Sequence, residues 1–265
     1  MAKNRAYHDL AGRFPHRSSR GNEYLLIVYD YDSNSILHSP LKNKTASEIK
    51  RGWLSIHARL AKGGNQPKLY IMDNEASNEL KQALAKNDLA YQLVPPHLHR
   101  RNAAERAIRT FKSHLLACLA TCDPDFPVSE WDRLLFQVEL TLNLLRSLRV
   151  NPRLSAYAYL HGNFDFNKTP LAPFGTRVIV HLKPDQRPSW AYHGEEGWYV
   201  GPSMEHYRCV KCYIPATGRV RDVDTLEFFP KQFPFPAVTT EDYLKQAAAD
   251  IISLLQNQNS ALPSL

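Results

Sequence analysis

The amino-acid sequence predicts an α/β layer, a mixed sheet flanked by helices, followed by a small all-β unit and a helical tail. Three observations predict it. From residue 24 to residue 94, short β-branched and aromatic runs alternate with stretches of helical period, the pattern of strands covered by helices. Two longer stretches of helical period follow, up to residue 148. Beyond Gly162, Pro170, Pro173, Gly175, Pro184, Pro188, Gly194, Gly197, Gly201 and Gly218 divide the chain into short aromatic or β-branched runs as far as Phe229.

Taken in order, residues 24–31 form a β-branched and aromatic run. The turn residues Asp32, Ser33 and Asn34 and a second run from Ser35 follow, which predicts a hairpin. Residues 45–62 place Ile49, Trp53, Ile56 and Leu60 at helical period and stop at Gly63 and Gly64. Residues 68–72 read as a short strand, 76–87 as a helix and 90–94 as another strand, whose extension Pro95 and Pro96 block. From Asn102 to about Thr121, the positions Ala104, Ile108, Phe111, Leu115 and Leu119 mark one helix face, and Asp123-Pro124 breaks it. Residues 129–148 predict a second long helix with Trp131, Leu134, Leu135, Val138, Leu142 and Leu145 in register. Its flanks are also apolar, so deep burial is expected. The all-β stretch predicts a barrel-like unit. After Pro236, one helix opened by Thr239 or Thr240 carries Leu244, Ile251, Ile252 and Leu255.

With 265 residues, 43% of them apolar, the chain can bury one substantial core and a second small one. No apolar run approaches the roughly 18 residues of a membrane-spanning helix, and the first residues lack a signal-peptide core, so a soluble intracellular protein is expected. Four cysteines are too few for a disulfide scaffold and read as reduced thiols. The net charge of +7 is concentrated. Residues 1–20 carry +4 from Lys3, Arg5, Arg13, Arg17 and Arg20 against Asp9; residues 95–112 carry another +4 from Arg100, Arg101, Arg106, Arg109 and Lys112 against Glu105. Clustered cations favour a polyanion because they release counterions condensed on phosphate. A solvated cationic face is the plainer alternative.

Asp73 follows the short strand directly, where open α/β sheets present ligands beyond their strand ends. It could equally be a turn residue or helix cap. Glu105 sits one turn inside a helix, on a stripe with Arg101, Arg109 and Lys112. An ordinary pairing with Arg109 would contribute only roughly 0.2–0.5 kcal/mol. A carboxylate among phosphate-seeking cations also suits a nuclease-like site. Two-metal phosphodiester chemistry needs carboxylates converging on ions about 3.5–4 Å apart, and Mg²⁺ prefers such hard oxygen ligands. A third carboxylate is therefore required. Asp9, Asp30 and Asp32 are available, and spacing does not choose among them.

The segments Asp9-Leu10-Ala11-Gly12-Arg13-Phe14-Pro15, Tyr29-Asp30-Tyr31-Asp32-Ser33-Asn34, Asp73-Asn74-Glu75 and Val94-Pro95-Pro96-His97-Leu98-His99-Arg100-Arg101-Asn102-Ala103-Ala104-Glu105-Arg106 resemble the integrases of Copia-type retrotransposons and, more distantly, of retroviruses. The resemblance covers nearly everything from His8 to Pro230. It implies an RNase H-like mixed sheet flanked by helices, followed by a small SH3-like all-β domain containing the strands Gly197-Trp198-Tyr199-Val200-Gly201 and Arg221-Asp222-Val223-Asp224-Thr225. The implied divisions are a first core strand with a basic segment (1–20), the remainder of the catalytic core (21–160), a linker (161–173), the β domain (174–232) and a tail (233–265).

By the same resemblance Asp9, Asp73 and Glu105 match an Asp, Asp, Glu triad that holds two Mg²⁺ or Mn²⁺ ions, with Asp30 as the alternative to Asp9. Arg109 and Lys112 match positions that touch the element's DNA end, and Arg100, Arg101 and Arg106 extend that basic track. Sixty-four positions separate Asp9 from Asp73 and thirty-two separate Asp73 from Glu105. Retroviral relatives usually have a shorter first interval and a slightly longer second one, so the loop before Glu105 reads as trimmed.

The implied activity is DNA integration by a metal-dependent polynucleotidyl transferase, with 3′-end processing and strand transfer. It would act on element ends and target DNA as a homo-oligomer, away from membranes, in the nucleus at integration and otherwise in the cytoplasm. Integrases of this kind carry a His-His-Cys-Cys zinc domain ahead of the core, whereas this chain begins about one strand before Asp9. Cys209-x-x-Cys212 and His97-x-His99 lie too far apart for a zinc finger, so no structural zinc is expected. Cys118 and Cys122 read as packing residues, as does at least one thiol of the Cys209 pair. Trp190 and Trp198 could stack on unpaired bases, but core packing is the stronger expectation. Two other readings fit the same residues: a catalytically silent relic that binds DNA or a partner, and a nuclease that cuts without joining.

Overall fold

A computed structural model describes residues 4–64, 66–73, 76–94, 103–184, 187–229, 244–245 and 247–252. The first five strands are β1 (Arg5–Ala11), β2 (Tyr24–Asp30), β3 (Ile36–Leu41), β4 (Leu69–Met72) and β5 (Ala90–Leu93). They lie side by side in the order β3-β2-β1-β4-β5. The pairs β1/β2 and β2/β3 are antiparallel, while β1/β4 and β4/β5 are parallel. This is the mixed RNase H-like sheet.

Residues alternate between the two faces because a strand's side chains have period two. Leu26 and Val28 point into a core with Trp53, Ile56 and Leu60 of α1 (Ala46–Lys62) and Leu80, Ala83 and Leu84 of α2 (Asn78–Lys86). Leu25, Ile27 and Tyr29 point the other way, against Ala107, Phe111 and Leu115 of α3 (Ala103–Ala120) and Leu135, Val138 and Leu142 of α4 (Leu135–Leu145). Ser77 caps α2 by accepting a hydrogen bond from the Leu80 amide, which satisfies one of the helix's unpaired N–H groups. A short helix α5 (Ala156–His161) adds Leu160 to the first core.

The expected helix over 129–148 is shorter and broken. Val128–Arg133 is a 3-10 helix, and α4 runs only from Leu135 to Leu145. Side-chain bonds from the 12–23 loop hold the first part in the tighter form: Ser18 Oγ, Arg20 Nε and Asn22 Nδ2 all donate to Asp132 Oδ2, and Trp131 Nε1 donates to the His16 carbonyl. At the other end, Arg146 turns to extended backbone and Ser147 bridges to Ser155.

The second sheet is the small all-β unit: β6 (Arg177–His181), β7 (Gly194–Pro202), β8 (Val210–Ile214), β9 (Arg219–Val223) and β10 (Leu226–Phe228). The order is β10-β6-β7-β8-β9, with every pair antiparallel. Val178, Val180, Tyr199, Cys212 and Ile214 fill its core. A further apolar cluster joins Phe126 and Leu134 to Trp198 and Val200, so this unit packs on the helices behind the first sheet. By packing the chain divides into two compact units, Met1–Pro230 and Lys231–Leu265. In the second, residues 244–252 are helical where described; Leu255 lies outside the described residues.

Candidate active site and its cationic flank

The β1/β4 ladder pairs Arg5 with Leu69, Ala6 with Tyr70 and Tyr7 with Ile71, a constant offset of sixty-four residues. The same interval separates Asp9 from Asp73. The ladder ends at Tyr7 and Ile71, and carrying its offset two residues further aligns Asp9, within β1, with Asp73, the residue directly after β4. Asp9 pairs with Ile27, which faces α3, so Asp9 belongs to the α3 face; Asp73 directly follows β4. Both are half-buried, and Asp9 Oδ1 accepts a hydrogen bond from the Leu10 amide at 2.7 Å.

Glu105 stands exposed in the first turn of α3, which packs across β1 and β2. Glu105, Arg109 and Lys112 follow one another at i, i+4 and i+7, a single stripe of the helix. The stripe lies toward the exit of β1, since Lys112 Nζ is 3.9 Å from where a Cβ on Gly12 would be. Asp9 thus lies on the side of the sheet that α3, the helix of Glu105, covers. Among the described residues, however, no group of three or more His, Cys, Asp or Glu side chains is gathered closely enough to hold a metal ion. Arg100 and Arg101 lie outside the described residues, as do Asn74, Glu75 and His97-x-His99.

Asp30, the alternative to Asp9, is placed elsewhere. It pairs with Ala6, three residues before Asp9 and on the opposite face of the sheet. Asp30 is fully buried, and its Oδ2 accepts bonds from the amide and the hydroxyl of Ser33 at 2.8 and 2.5 Å, the work of a turn-forming aspartate. Asp32 Oδ2 accepts from the Asn4 amide.

His8, beside Asp9 in sequence, was not singled out in the sequence. It points to the opposite face, and its Nδ1 is buried without a hydrogen-bond partner among the described residues. Burial lowers its pKa to about 4, so it is neutral near pH 7. Alternation along β1 was the available signal, since neighbours of an inward carboxylate must face the other way.

The basic segment at the start of the chain has a structural use that charge counting did not reveal. Arg13 and Arg17 approach Glu23 at 3.0 and 3.8 Å, and Arg20 pairs with buried Asp132 at 3.0 Å. Arg106 leaves the stripe of Glu105 and turns to the other flank of α3. There it lines a pocket of about 210 Å³ with Tyr29, Asn34, Thr110, Arg146 and Arg149. Of the two tryptophans, Trp198 is packed edge-on to Phe126, and Trp190 is fully exposed. Cys118 and Cys212 are buried, Cys122 and Cys209 less so, and all four are free thiols. Burial pushes the Cys212 thiol up to about 12.

Among solved structures, the catalytic core domain of HTLV-2 integrase in complex with magnesium is 18% identical, with a TM-score of 0.45 over 59% of this chain and 95% of that one. A chain of the simian T-cell lymphotropic virus intasome in complex with PP2A regulatory subunit B56 gamma is 15% identical, with a TM-score of 0.45 over 88% of this chain and 84% of its own. The catalytic core domain of BIV integrase is 14% identical, with a TM-score of 0.43 over 59% and 93%. No family model and no curated protein matches the chain. The fold assignment rests on strand order and pairing direction. Among the described residues no helix is long and apolar enough to cross a membrane.

Proposed function

We propose that the chain is a metal-dependent polynucleotidyl transferase of the integrase kind, related to those of Copia-type retrotransposons, which processes 3′ DNA ends and joins them to target DNA. The observation that supports this reading is the shared offset of sixty-four between the β1/β4 register and the interval from Asp9 to Asp73, together with Asp9 on the face that α3 covers. Two half-buried carboxylates, with a third on the helix, are the hard oxygen donors that Mg²⁺ or Mn²⁺ prefers. Such ions, bound by Asp9, Asp73 and Glu105, would supply the Lewis acidity that activates a water or a DNA 3′-hydroxyl and stabilises charge on the scissile phosphate. The protein's own part would be to hold Asp9 within β1 and Asp73 directly beyond β4. Arg109 and Lys112 extend from Glu105 along the same helix stripe, where they would hold backbone phosphates. Arg100 and Arg101 would continue that track. In a cell the activity belongs in the nucleus, and work on paired DNA ends calls for a homo-oligomer.

The test is Glu105→Gln in an oligonucleotide strand-transfer assay with Mg²⁺ or Mn²⁺. Product formation should fall at least a hundredfold; turnover equal to the parent removes Glu105 from the site. Cleaved ends without joined product would point to a nuclease. A second reading, a catalytically silent DNA-binding or interaction module, is favoured by the lack of a gathered ligand trio among the described residues. Calorimetric titration with Mn²⁺ separates the two. Binding weakened by Asp9→Asn and by Asp73→Asn supports the enzyme, and no saturable binding supports the silent module.

A further inference from the structure

We propose that Arg106, Arg146 and Arg149 form a prebuilt anion site on the β2 side of α3, which holds one phosphodiester of a polynucleotide strand. The pocket's volume is about 210 Å³, and its lining contains three arginines and, among the described residues, no carboxylate. Two of the guanidiniums are fixed by neutral acceptors. Arg146 donates from Nε to the Asn34 carbonyl and from Nη2 to Asn34 Oδ1, both at 2.6 Å. Arg149 donates from Nε to the Tyr31 carbonyl at 3.0 Å and from Nη2 to the Tyr29 hydroxyl at 2.6 Å. Tyr29 in turn donates to Asn34 Oδ1, and Asn34 Nδ2 ties the loop to the Ser147 carbonyl.

Each guanidinium has five N–H donors, and these bonds use two of them. The planes are also held by aromatic faces, with Arg146 5.8 Å from the Tyr29 ring centre and Arg149 4.2 Å from that of Tyr31. Orientation is thus set before any ligand arrives, so little side-chain entropy is lost on binding. Asp32 acts on Arg149 from outside the lining, and no carboxylate stands in the described lining itself. Arg146 is half-buried, and its pKa is lowered by that burial and by the neighbouring charge of Arg149. A tetrahedral oxyanion relieves this repulsion and accepts the remaining forked donors bidentately. Arg106 comes from the opposite wall as an exposed residue, beside Ala103, Ala107 and Thr110 of the same flank of α3.

The anion site stands on this geometry alone, whereas the choice of a polynucleotide over free phosphate rests on the proposed function. Arg106 and Glu105 are neighbours pointing to opposite flanks of α3. A strand held in this pocket therefore lies across the helix from the carboxylates.

Fluorescence anisotropy of a labelled DNA oligonucleotide, in EDTA and at several salt concentrations, tests the site apart from catalysis. Arg106→Gln and Arg149→Gln should each weaken binding uniformly across sequences and lower the slope of log affinity against log salt by about one. Arg106→Lys should recover part of the affinity, and Lys86→Gln at the end of α2 should change nothing. Arg106 makes no side-chain bond that holds the fold among the described residues, so its variant remains informative if the Arg149 variant unfolds. Competition by inorganic pyrophosphate forms a second arm. Parent-like affinity and slope for Arg106→Gln overturn the proposal. Lost pyrophosphate binding with unchanged oligonucleotide binding overturns the polynucleotide assignment. Because EDTA removes divalent cations, either result leaves the Glu105→Gln experiment to be judged on its own.

Discussion

At the scale of single residues, the two neighbours His8 and Asp9 have opposite fates because β1 alternates. Asp9 faces α3 with its hydrogen-bonded carboxylate half-buried, and His8 is buried against Tyr70 on the other side. The depressed pKa of His8 makes a pH prediction. Between about pH 6.5 and pH 4 the unfolded chain binds a proton that the folded chain refuses, so stability falls as pH falls through this window. The loss approaches about 3 kcal/mol at its acid end. Urea unfolding at pH 7 and pH 5 should show it, and His8→Phe should remove much of the difference. An unchanged pH dependence in that variant would assign the effect to other groups. A second residue-scale prediction concerns Gly63, which ends α1. A Cβ there would lie 2.8 Å from the Leu160 carbonyl oxygen, a backbone atom with little room to retreat. Gly63→Ala should therefore destabilise by about 1–3 kcal/mol, measured by thermal unfolding.

At the scale of elements, β3 is an edge strand whose outer backbone groups would otherwise be open to pairing. Helix α4 covers them with side chains at helical spacing that match the strand's period. Asn143 Oδ1 accepts from the Ile36 amide and its Nδ2 donates to the Ile36 carbonyl, while Glu139 Oε2 accepts from the His38 amide at 2.8 Å. Burial alone would raise the Glu139 pKa, but the opposing influence of Arg59 and His38 prevails and holds it at about 2. Its contribution is present above the unfolded value near 4.5 and is lost as pH falls toward 2, below the window of His8. Asn143→Ala should cost about 1–3 kcal/mol by leaving a buried donor and acceptor unmet. Glu139→Ala should cost about 1–3 kcal/mol, since the buried His38 amide loses its acceptor. Chemical denaturation measures both. If the two losses are equal to those of exposed substitutions, the edge does not depend on α4.

At the scale of the whole molecule, the apolar cluster of Phe126, Leu134, Trp198 and Val200 ties the antiparallel sheet to the helices of the mixed sheet. Residues on both sides contribute to it, so the two sheets should unfold as one cooperative transition. Trp198→Ala should cost about 3–5 kcal/mol and separate the transition into two, seen by calorimetry. A single unchanged transition in that variant would show that the sheets are joined by other contacts. The cations are distributed on the same scale. Arg13, Arg17 and Arg20 are engaged with Glu23 and Asp132, whereas Arg106, Arg146 and Arg149 face a pocket whose described lining holds no carboxylate.

The elements from Tyr24 to Thr121 were legible because period and punctuation are local properties: Ile49, Trp53, Ile56 and Leu60 share a helix face wherever the helix lies, whereas β1 was implied only by the family resemblance. The hairpin, the short strands and the all-β unit were legible for the same reason. The helix expected over 129–148 was not, because its first turn is held by Ser18, Arg20 and Asn22, more than a hundred positions away.

For the candidate site, the sequence by itself determined which carboxylates were available and what chemistry their type supports. Only the tertiary structure decided that Asp9 faces α3 while Asp30 faces the other way, since a register between strands is set by the packing of both faces and leaves no local trace in the chain. The arginine pocket was hidden in the same manner. Arg146 and Arg149 lie forty residues beyond Arg106, and folding α4 back along α3 is what brings them to one place.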